Sequence, residues 1–189
     1  MTIERREILP GYSISRLLKG GWHLSSGHGA SVERTQAIDD MAAFVDAGIT
    51  TFDCADHYLG VEQLIGDFRR AYPELGRRLQ IHTKYVPDWD ALATLSPADT
   101  VRIIDRSLMR LGVDTLDLVQ FFWWNAKVPG AVKPGLVLKD LQRAGKIRHI
   151  GVTNFTTPQL GEMIAAGVPI AVNQLQYSLV DDRPERGQL

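Results

Sequence analysis

The sequence predicts an α/β protein with parallel strands, and three observations support this fold class. Helical and strand patterns alternate along the chain, which is typical of parallel strands joined by right-handed crossovers. No G-x-G-x-x-G segment follows the first predicted strand, although an open dinucleotide-binding sheet would usually carry one. Polar residues stand at the carboxyl ends of several strands. Those ends converge on one mouth in a (β/α)8 TIM barrel, so the barrel is favoured over a doubly wound sheet, although periodicity alone does not separate the two.

Glycine stops, helix caps and apolar runs mark the elements in order. Residues 31–47 place apolar side chains on one helical face, and Gly48 ends this helix. The apolar, β-branched run 49–54 follows as a strand buried on both faces. Ser96 and Pro97 provide an N-cap and a first helical residue. Six strands are predicted, around 17–22, 49–54, 79–86, 115–124, 147–152 and 170–175. Five to six helices alternate with them, around 31–47, 61–71 and 96–111, then one that reaches Ala144 and stops at Gly145, and one around 157–167.

The composition is that of a globular chain without a charged or membrane partner. It has 189 residues, 44% of them hydrophobic, and a formal net charge of -1, which gives no general attraction to nucleic acid or to an anionic membrane. Cys54 is the single cysteine and cannot form an internal disulfide. The N-terminus is charged where a secretory signal would be apolar, and no apolar run is long enough to span a bilayer. We therefore expect a cytoplasmic protein with no membrane segment.

Three residues suggest an acid site. Lys84 lies in an otherwise apolar strand, where a buried ammonium group needs a counter-charge. Asp53, at the end of the neighbouring strand, is the natural partner. Tyr58 follows in the next loop, and a lysine beside it would lower the pKa of its phenol toward the range of a general acid. On spacing alone, an Asp–Lys pair could equally be structural.

The motifs around these residues resemble the aldo-keto reductase family. They are Phe52–Asp53–Cys54–Ala55–Asp56–His57–Tyr58 with Glu62, then Thr83–Lys84, then Gly151–Val152–Thr153–Asn154–Phe155, and finally Val172–Asn173–Gln174. Their order and spacing match the family from about Arg5 onward. The resemblance implies an NADPH-dependent oxidoreductase with a (β/α)8 barrel that is preceded by an N-terminal β-hairpin, here over residues 7–14.

The resemblance also implies roles for individual residues. Tyr58 would protonate the substrate carbonyl while hydride arrives from the nicotinamide, and Asp53 and Lys84 would tune its acidity. The cofactor, NADP(H), would be held by side chains and backbone at the strand ends, namely Gly21, Trp22, Asp53, Thr153, Asn154 and Gln174. The substrate, a small-molecule aldehyde or ketone, would contact Trp22, Phe122 and Trp123.

The chain departs from the family pattern at one site position. The family usually places a histidine donor after the fourth strand, and this position is Phe122 here. A preorganised donor of this kind is often worth on the order of 3 kcal/mol. The alternative function is therefore a weak or inactive nicotinamide-nucleotide-binding sensor on the same fold. The acidic residues are scattered, with no histidine or cysteine at ligand spacing, so no metal site is expected.

The chain is also shorter than a complete barrel, which needs about 250 residues. We expect a single domain over residues 1–189 that lacks the C-terminal part of the barrel. Its open edges would be covered by further chain or by self-association. A third hypothesis is that too much of the barrel is absent for this chain to form a cofactor site.

Overall fold

The structure is a computed structural model that describes residues 3–27 and 33–186. Its strands are β1 Arg5–Leu9, β2 Tyr12–Ser15, β3 Leu18–Gly20, β4 Thr51–Asp53, β5 Gln80–Tyr85, β6 Leu116–Phe122, β7 Ile147–Thr153 and β8 Ile170–Gln174. Its helices are α1 Arg34–Asp46, α2 Val61–Ala71, α3 Pro73–Gly76, α4 Pro97–Leu111, α5 Val132–Arg143 and α6 Thr157–Ala165. The predicted start of the first helix, residues 31–32, lies outside the described residues.

The sheet topology separates the two candidate folds. β3 to β8 form one six-stranded sheet in strict chain order, and the pairs β3–β4, β4–β5 and β7–β8 are parallel. A doubly wound sheet reverses its strand order at a switch point, whereas a barrel adds each strand to the same side. The monotonic order therefore favours the barrel prediction. The predicted hairpin is present as the antiparallel pair β1–β2.

Two compact units make up the chain, and single-domain organisation stays a prediction. The first unit comprises Met1–Thr83 and Arg106–Asp117, and the second comprises Lys84–Asp105 and Leu118–Leu189. The first unit packs Phe52 of β4 against Phe68 of α2, with ring centroids 6.3 Å apart. Both side chains are buried.

The hairpin of the first unit is fixed to the sheet by polar contacts. The Ser15 amide donates to Thr51 Oγ1 and the Thr51 amide donates to Ser15 Oγ, each at 3.0 Å. The Tyr12 hydroxyl and His82 Nε2 form a buried hydrogen bond of 3.0 Å. These bonds anchor the hairpin to the starts of β4 and β5.

The core of the second unit is aromatic. Phe121 of β6 stacks on Tyr85 at 5.3 Å and also contacts Phe155 at 5.7 Å, and all three rings are buried. The Tyr85 hydroxyl is paired with Thr100 Oγ1 at 2.9 Å, so the buried phenol is satisfied. This core supports the carboxyl ends of β6 and β7.

The helix starts follow the predicted capping chemistry. Ser96, the predicted cap of α4, exchanges hydrogen bonds with Asp99 in the first turn of that helix. α6 begins at Thr157, as predicted, and its cap, Thr156, forms a capping box with Gln159. Within the described residues, no helix combines the length and apolar character needed to cross a membrane.

Candidate active site

The 54–60 loop of the first unit carries Tyr58 between β4 and α2. The Tyr58 amide donates to the Ala55 carbonyl at 3.1 Å, and the Val61 amide donates to the Tyr58 carbonyl at 3.0 Å. Gly60 precedes α2 with a φ of 82°, a left-handed conformation that glycine adopts without steric cost. The loop is therefore a series of tight turns that ends at the start of α2.

Aromatic rings surround the Tyr58 phenol. The centroid of the Trp22 ring lies 4.7 Å from that of Tyr58 and the centroid of the His57 ring lies 4.8 Å from it, both edge to face, and the Trp22 and His57 centroids are 6.0 Å apart. Trp22 is 46% exposed, so its indole covers Tyr58 and still faces solvent. Trp22 thus lies next to Tyr58, and its roles in binding cofactor and substrate stay predictions.

The pKa of Tyr58 moves in the direction opposite to the sequence prediction. Burial first, and then the negative charge of Asp53 and the nearby Cys54, raise the pKa of Tyr58 to about 12. The lowering expected from a lysine was therefore wrong in sign, because desolvation and the carboxylate both disfavour the phenolate. As a consequence, the phenol stays protonated at neutral pH, which is the form that a proton donor needs.

Gly21 has a packing role at the end of β3. Its amide donates to the Asp53 carbonyl at 2.8 Å. A Cβ at this position would lie 2.8 Å from Val61 Cγ1 and 3.1 Å from the Asp53 carbonyl oxygen. Only glycine lets the chain pass this close to the end of β4, which carries Asp53.

Lys84 belongs to the second unit and lies near the carboxyl end of β5. It is only 6% exposed, as expected for the apolar strand around it. A buried ammonium group is retained in a fold when charge or hydrogen bonding compensates its desolvation.

The predicted carboxamide-binding residues lie together at the ends of β7 and β8 in the second unit. Thr153 is paired in register with Gln174, and the Asn154 amide donates to the Gln174 carbonyl at 2.9 Å. Asn154 has a φ of 56°, and among the described residues it is the only non-glycine residue with a positive φ. Asparagine tolerates this left-handed conformation better than most residues, and such backbones cluster at functional sites.

Two side-chain groups at this edge, one buried and one exposed, have no hydrogen-bond partner among the described residues. Thr153 is 8% exposed, and its Oγ1 is buried without a hydrogen bond among the described residues. Asn154 accepts through Oδ1 from the Gln176 amide at 3.1 Å, while its Nδ2 donates to no described residue. A carboxamide presents one acceptor and one donor group, so these two side chains fit it. The residues present therefore fit a nicotinamide.

An open cavity of about 400 Å³ lies beside this edge and is also contained in the second unit. Phe122, Trp123 and Trp124 form its aromatic side, and Asn154 with Arg183 contributes polar groups. The Trp123 indole is 5% exposed and donates to the Val128 carbonyl at 2.9 Å, so it is mainly a wall. Phe122 and Trp124 meet edge to face at 5.0 Å.

Sequence reasoning missed a set of charged residues behind the Tyr58 loop. Asp56 and Glu62 are buried carboxylates, and the arginines of α4 that pair with them are Arg106 and Arg110. The available signal was the spacing of the two arginines, four residues apart on one helical face, but this spacing does not identify a partner. Among the described residues, no cluster of three or more histidine, cysteine or acidic side chains could hold a metal ion.

Comparison with known proteins supports the resemblance. Residues 16–189 match the model of the Aldo/keto reductase family. Aldo-keto reductase YhdN of Bacillus subtilis is 33% identical over 95% of this chain, which covers 55% of its own length. Aldo-keto reductase yakc [NADP(+)] of Schizosaccharomyces pombe is 34% identical over 84% of this chain and 48% of its own length. The chain thus spans about half the length of these relatives.

A solved structure supports the fold. The thermostable aldo-keto reductase Tm1743, in complex with the inhibitor epalrestat, superposes with a TM-score of 0.83 at 28% identity, over 97% of this chain and 66% of its own. Together with the sheet order, this match confirms the predicted barrel type.

Proposed function

We propose that this chain, which belongs to the aldo/keto reductase family, performs the chemistry of an NADPH-dependent oxidoreductase that reduces an aldehyde or ketone to an alcohol. The observation that carries the proposal is Tyr58. Its phenol is half-buried beside the rings of Trp22 and His57, in the loop that directly follows Asp53. A positioned phenol is an effective general acid toward a carbonyl oxygen that gains negative charge.

The second support is the polar edge at the ends of β7 and β8. Thr153 Oγ1 and Asn154 Nδ2 would hold the carboxamide of the nicotinamide, and Gln174 would contribute a third contact as the resemblance implies. NADPH, when bound, supplies the hydride. These residues would fix which ring face points at the substrate, and such orientation is a major source of rate.

The roles of the remaining residues follow from their chemistry. Tyr58 would release its proton from Oη to the substrate oxygen, and Asp53 and Lys84 would set its acidity. Phe122 has no polar atom and donates no hydrogen bond to the substrate, so proton donation rests on Tyr58. The preference for NADPH over NADH is supported by the Schizosaccharomyces pombe relative, whose name carries NADP(+). Cytoplasmic location and self-association stay predictions.

A second candidate is favoured by Phe122 itself. If the missing histidine donor has removed turnover, the chain would bind the nicotinamide nucleotide as a sensor without reducing a carbonyl. In this second candidate Thr153 and Asn154 would hold the nucleotide in the same way, but no carbonyl compound would be reduced.

Titration of the purified 189-residue chain with NADPH and NADH, followed by a panel of carbonyl substrates, tests both candidates. Nicotinamide fluorescence reports binding, and loss of reduced cofactor reports turnover. Binding of NADPH with turnover supports the oxidoreductase. Binding without turnover across the panel supports the sensor, and absence of binding at high cofactor concentration contradicts both for this chain.

A further inference from the structure

Two arginines of α4 reach the loop that carries Tyr58, in the first unit. Arg106 and Arg110 are four residues apart and therefore lie on one face of the helix. Arg110 donates from Nη1 to the Asp56 carbonyl at 3.0 Å and lies 3.4 Å from Glu62 Oε2. Arg106 Nη2 lies 3.4 Å from Asp56 Oδ2. The side chain of one arginine thus contacts both the loop backbone and the first turn of α2.

The carboxylates on the other side of these pairs are buried. The side chains of Asp56 and Glu62 are 3% and 1% exposed. Two buried negative charges face two arginines, so the set is balanced in charge. A buried carboxylate that loses its partner is strongly unfavourable, which gives the loop a single well-defined position.

Glu62 extends the contacts of Arg110 to β5. Thr83, which is 1% exposed, donates from its hydroxyl to Glu62 Oε1 at 2.7 Å. Thr83 directly precedes Lys84 in the strand. Arg110, through Glu62, therefore fixes both the loop that carries Tyr58 and the strand residue next to Lys84.

The approach of α4 to α2 depends on Gly66. A Cβ at Gly66 would lie 2.1 Å from the Arg110 carbonyl oxygen, a distance that real Cβ atoms do not show. The end of α4 is thus in backbone contact with α2 at the level of Arg110. This contact places the guanidinium within reach of Asp56 and Glu62.

We propose that Arg110 is a positioning residue for the proton donor, acting through the Asp56 carbonyl and the Glu62 carboxylate. The inference rests on the proposed function, in which Tyr58 is the donor. Both contacts come from Nη1, whose two N–H groups are fixed in the plane of the guanidinium, whereas lysine is a compact charge on a flexible stem.

The test compares Arg110→Lys with Arg102→Lys. Arg102 lies on the same helix, has a side chain that is 64% exposed and pairs with Asp99 at 2.8 Å, so its replacement is a matched control. We expect amide hydrogen exchange in a peptide that spans the 54–60 loop to be about tenfold faster in Arg110→Lys and unchanged in Arg102→Lys. Where turnover is measurable, kcat falls about 10- to 100-fold in Arg110→Lys. The KM for substrate and the Kd for NADPH stay within about twofold.

Each outcome decides the proposal. Unchanged exchange in the loop overturns it, and so does a uniform rise in exchange over all helices, which would give Arg110 a general role in stability. A rise in KM with unchanged kcat also overturns it. If Arg110→Lys does not fold, Glu62→Gln carries the same test, because glutamine still accepts from Thr83 but loses its charge toward Arg110. Faster loop exchange in a chain without wild-type turnover would contradict the proposed function and leave the loop contact standing.

Discussion

The two regions that contain candidate site residues differ in whether their buried polar groups have hydrogen-bond or ion-pair partners. Behind the Tyr58 loop, Asp56 and Glu62 are matched by arginines, and Thr83 donates to Glu62. At the end of β7, Thr153 is equally withdrawn from water, but its hydroxyl has no partner among the described residues. A buried hydroxyl without a partner costs free energy that a partner would recover.

The difference separates positioning from binding. Groups that are satisfied internally fix a loop and have little left to offer a ligand. Groups that are left unsatisfied destabilise the unliganded chain and gain most when a ligand supplies the missing partner. The first region therefore has the properties of a support for a catalytic side chain, and the second has the properties of a cofactor contact.

The largest expected effect comes from removing the proton donor. We expect Tyr58→Phe to lower kcat by about 10²- to 10⁴-fold, the usual contribution of a general acid, because the hydroxyl is lost while the ring remains. Steady-state kinetics and an NADPH titration measure this change, with the NADPH Kd staying within about twofold of wild type. Wild-type turnover in the variant would remove Tyr58 from the mechanism.

Restoring the missing donor tests the second region. Phe122→His should raise kcat about 10- to 100-fold if the position acts as the resemblance implies, because a donor aimed at the developing oxyanion stabilises the transition state. Phe122→Leu is the control, since it alters the aromatic wall without adding a donor. Equal activity of the histidine and leucine variants would show that this position does not face the reacting carbonyl.

A pair of isosteric substitutions compares the two regions directly. Thr83→Val should lower the free energy of unfolding by about 1–3 kcal/mol, because Glu62 loses a buried donor. Thr153→Val should leave it unchanged or raise it by about 1 kcal/mol, because the hydroxyl it removes is unsatisfied. Thr153→Val should also weaken NADPH binding about five- to tenfold. Denaturant unfolding measures the free energies of unfolding, and cofactor titration measures the Kd for NADPH. Equal destabilisation by the two substitutions would show that the two hydroxyls do not differ in their hydrogen bonding.

The smallest expected effect is a change in the free energy of unfolding at alkaline pH. The pKa of Tyr58 is raised from 10.0 to about 12, so the folded chain holds this proton more tightly than the unfolded chain. Its stabilising contribution is complete below pH 10 and is lost as the pH rises toward 12. The free energy of unfolding of wild type should therefore fall relative to that of Tyr58→Phe over this window, and phenolate absorbance should show one late-titrating group that is absent in the variant. An ordinary titration near pH 10 for this group would show that burial does not govern it.

The sequence was sufficient for the order of the sheet strands and of the longer helices, whereas the short helix α3 was not predicted. Glycine stops and capping residues such as Ser96 act locally, so they are legible without a structure. The first and last residues of the strands were predicted less accurately. β4 has three residues, Thr51–Asp53, where six were predicted, because burial extends to Thr50 and Cys54, which flank the strand without belonging to it.

Long-range pairing was beyond reach of the sequence. The contact between Arg110 and Asp56 joins residues 54 positions apart, and a single chain gives no signal for such a partner. The sign of the Tyr58 pKa shift failed for a related reason. A nearby lysine could be inferred from the motif, but desolvation of the phenol depends on packing that only the fold defines.

The left-handed Asn154 joins the polar edge to the aromatic core. The next residue, Phe155, is 2% exposed and rests on Phe121, and its backbone is held on both sides by the Asn173 side chain. A ligand bound to Asn154 would thus restrain the same peptide units that position the core ring of Phe155. The melting temperature would then report binding, because a ligand that binds only the folded chain stabilises it against unfolding.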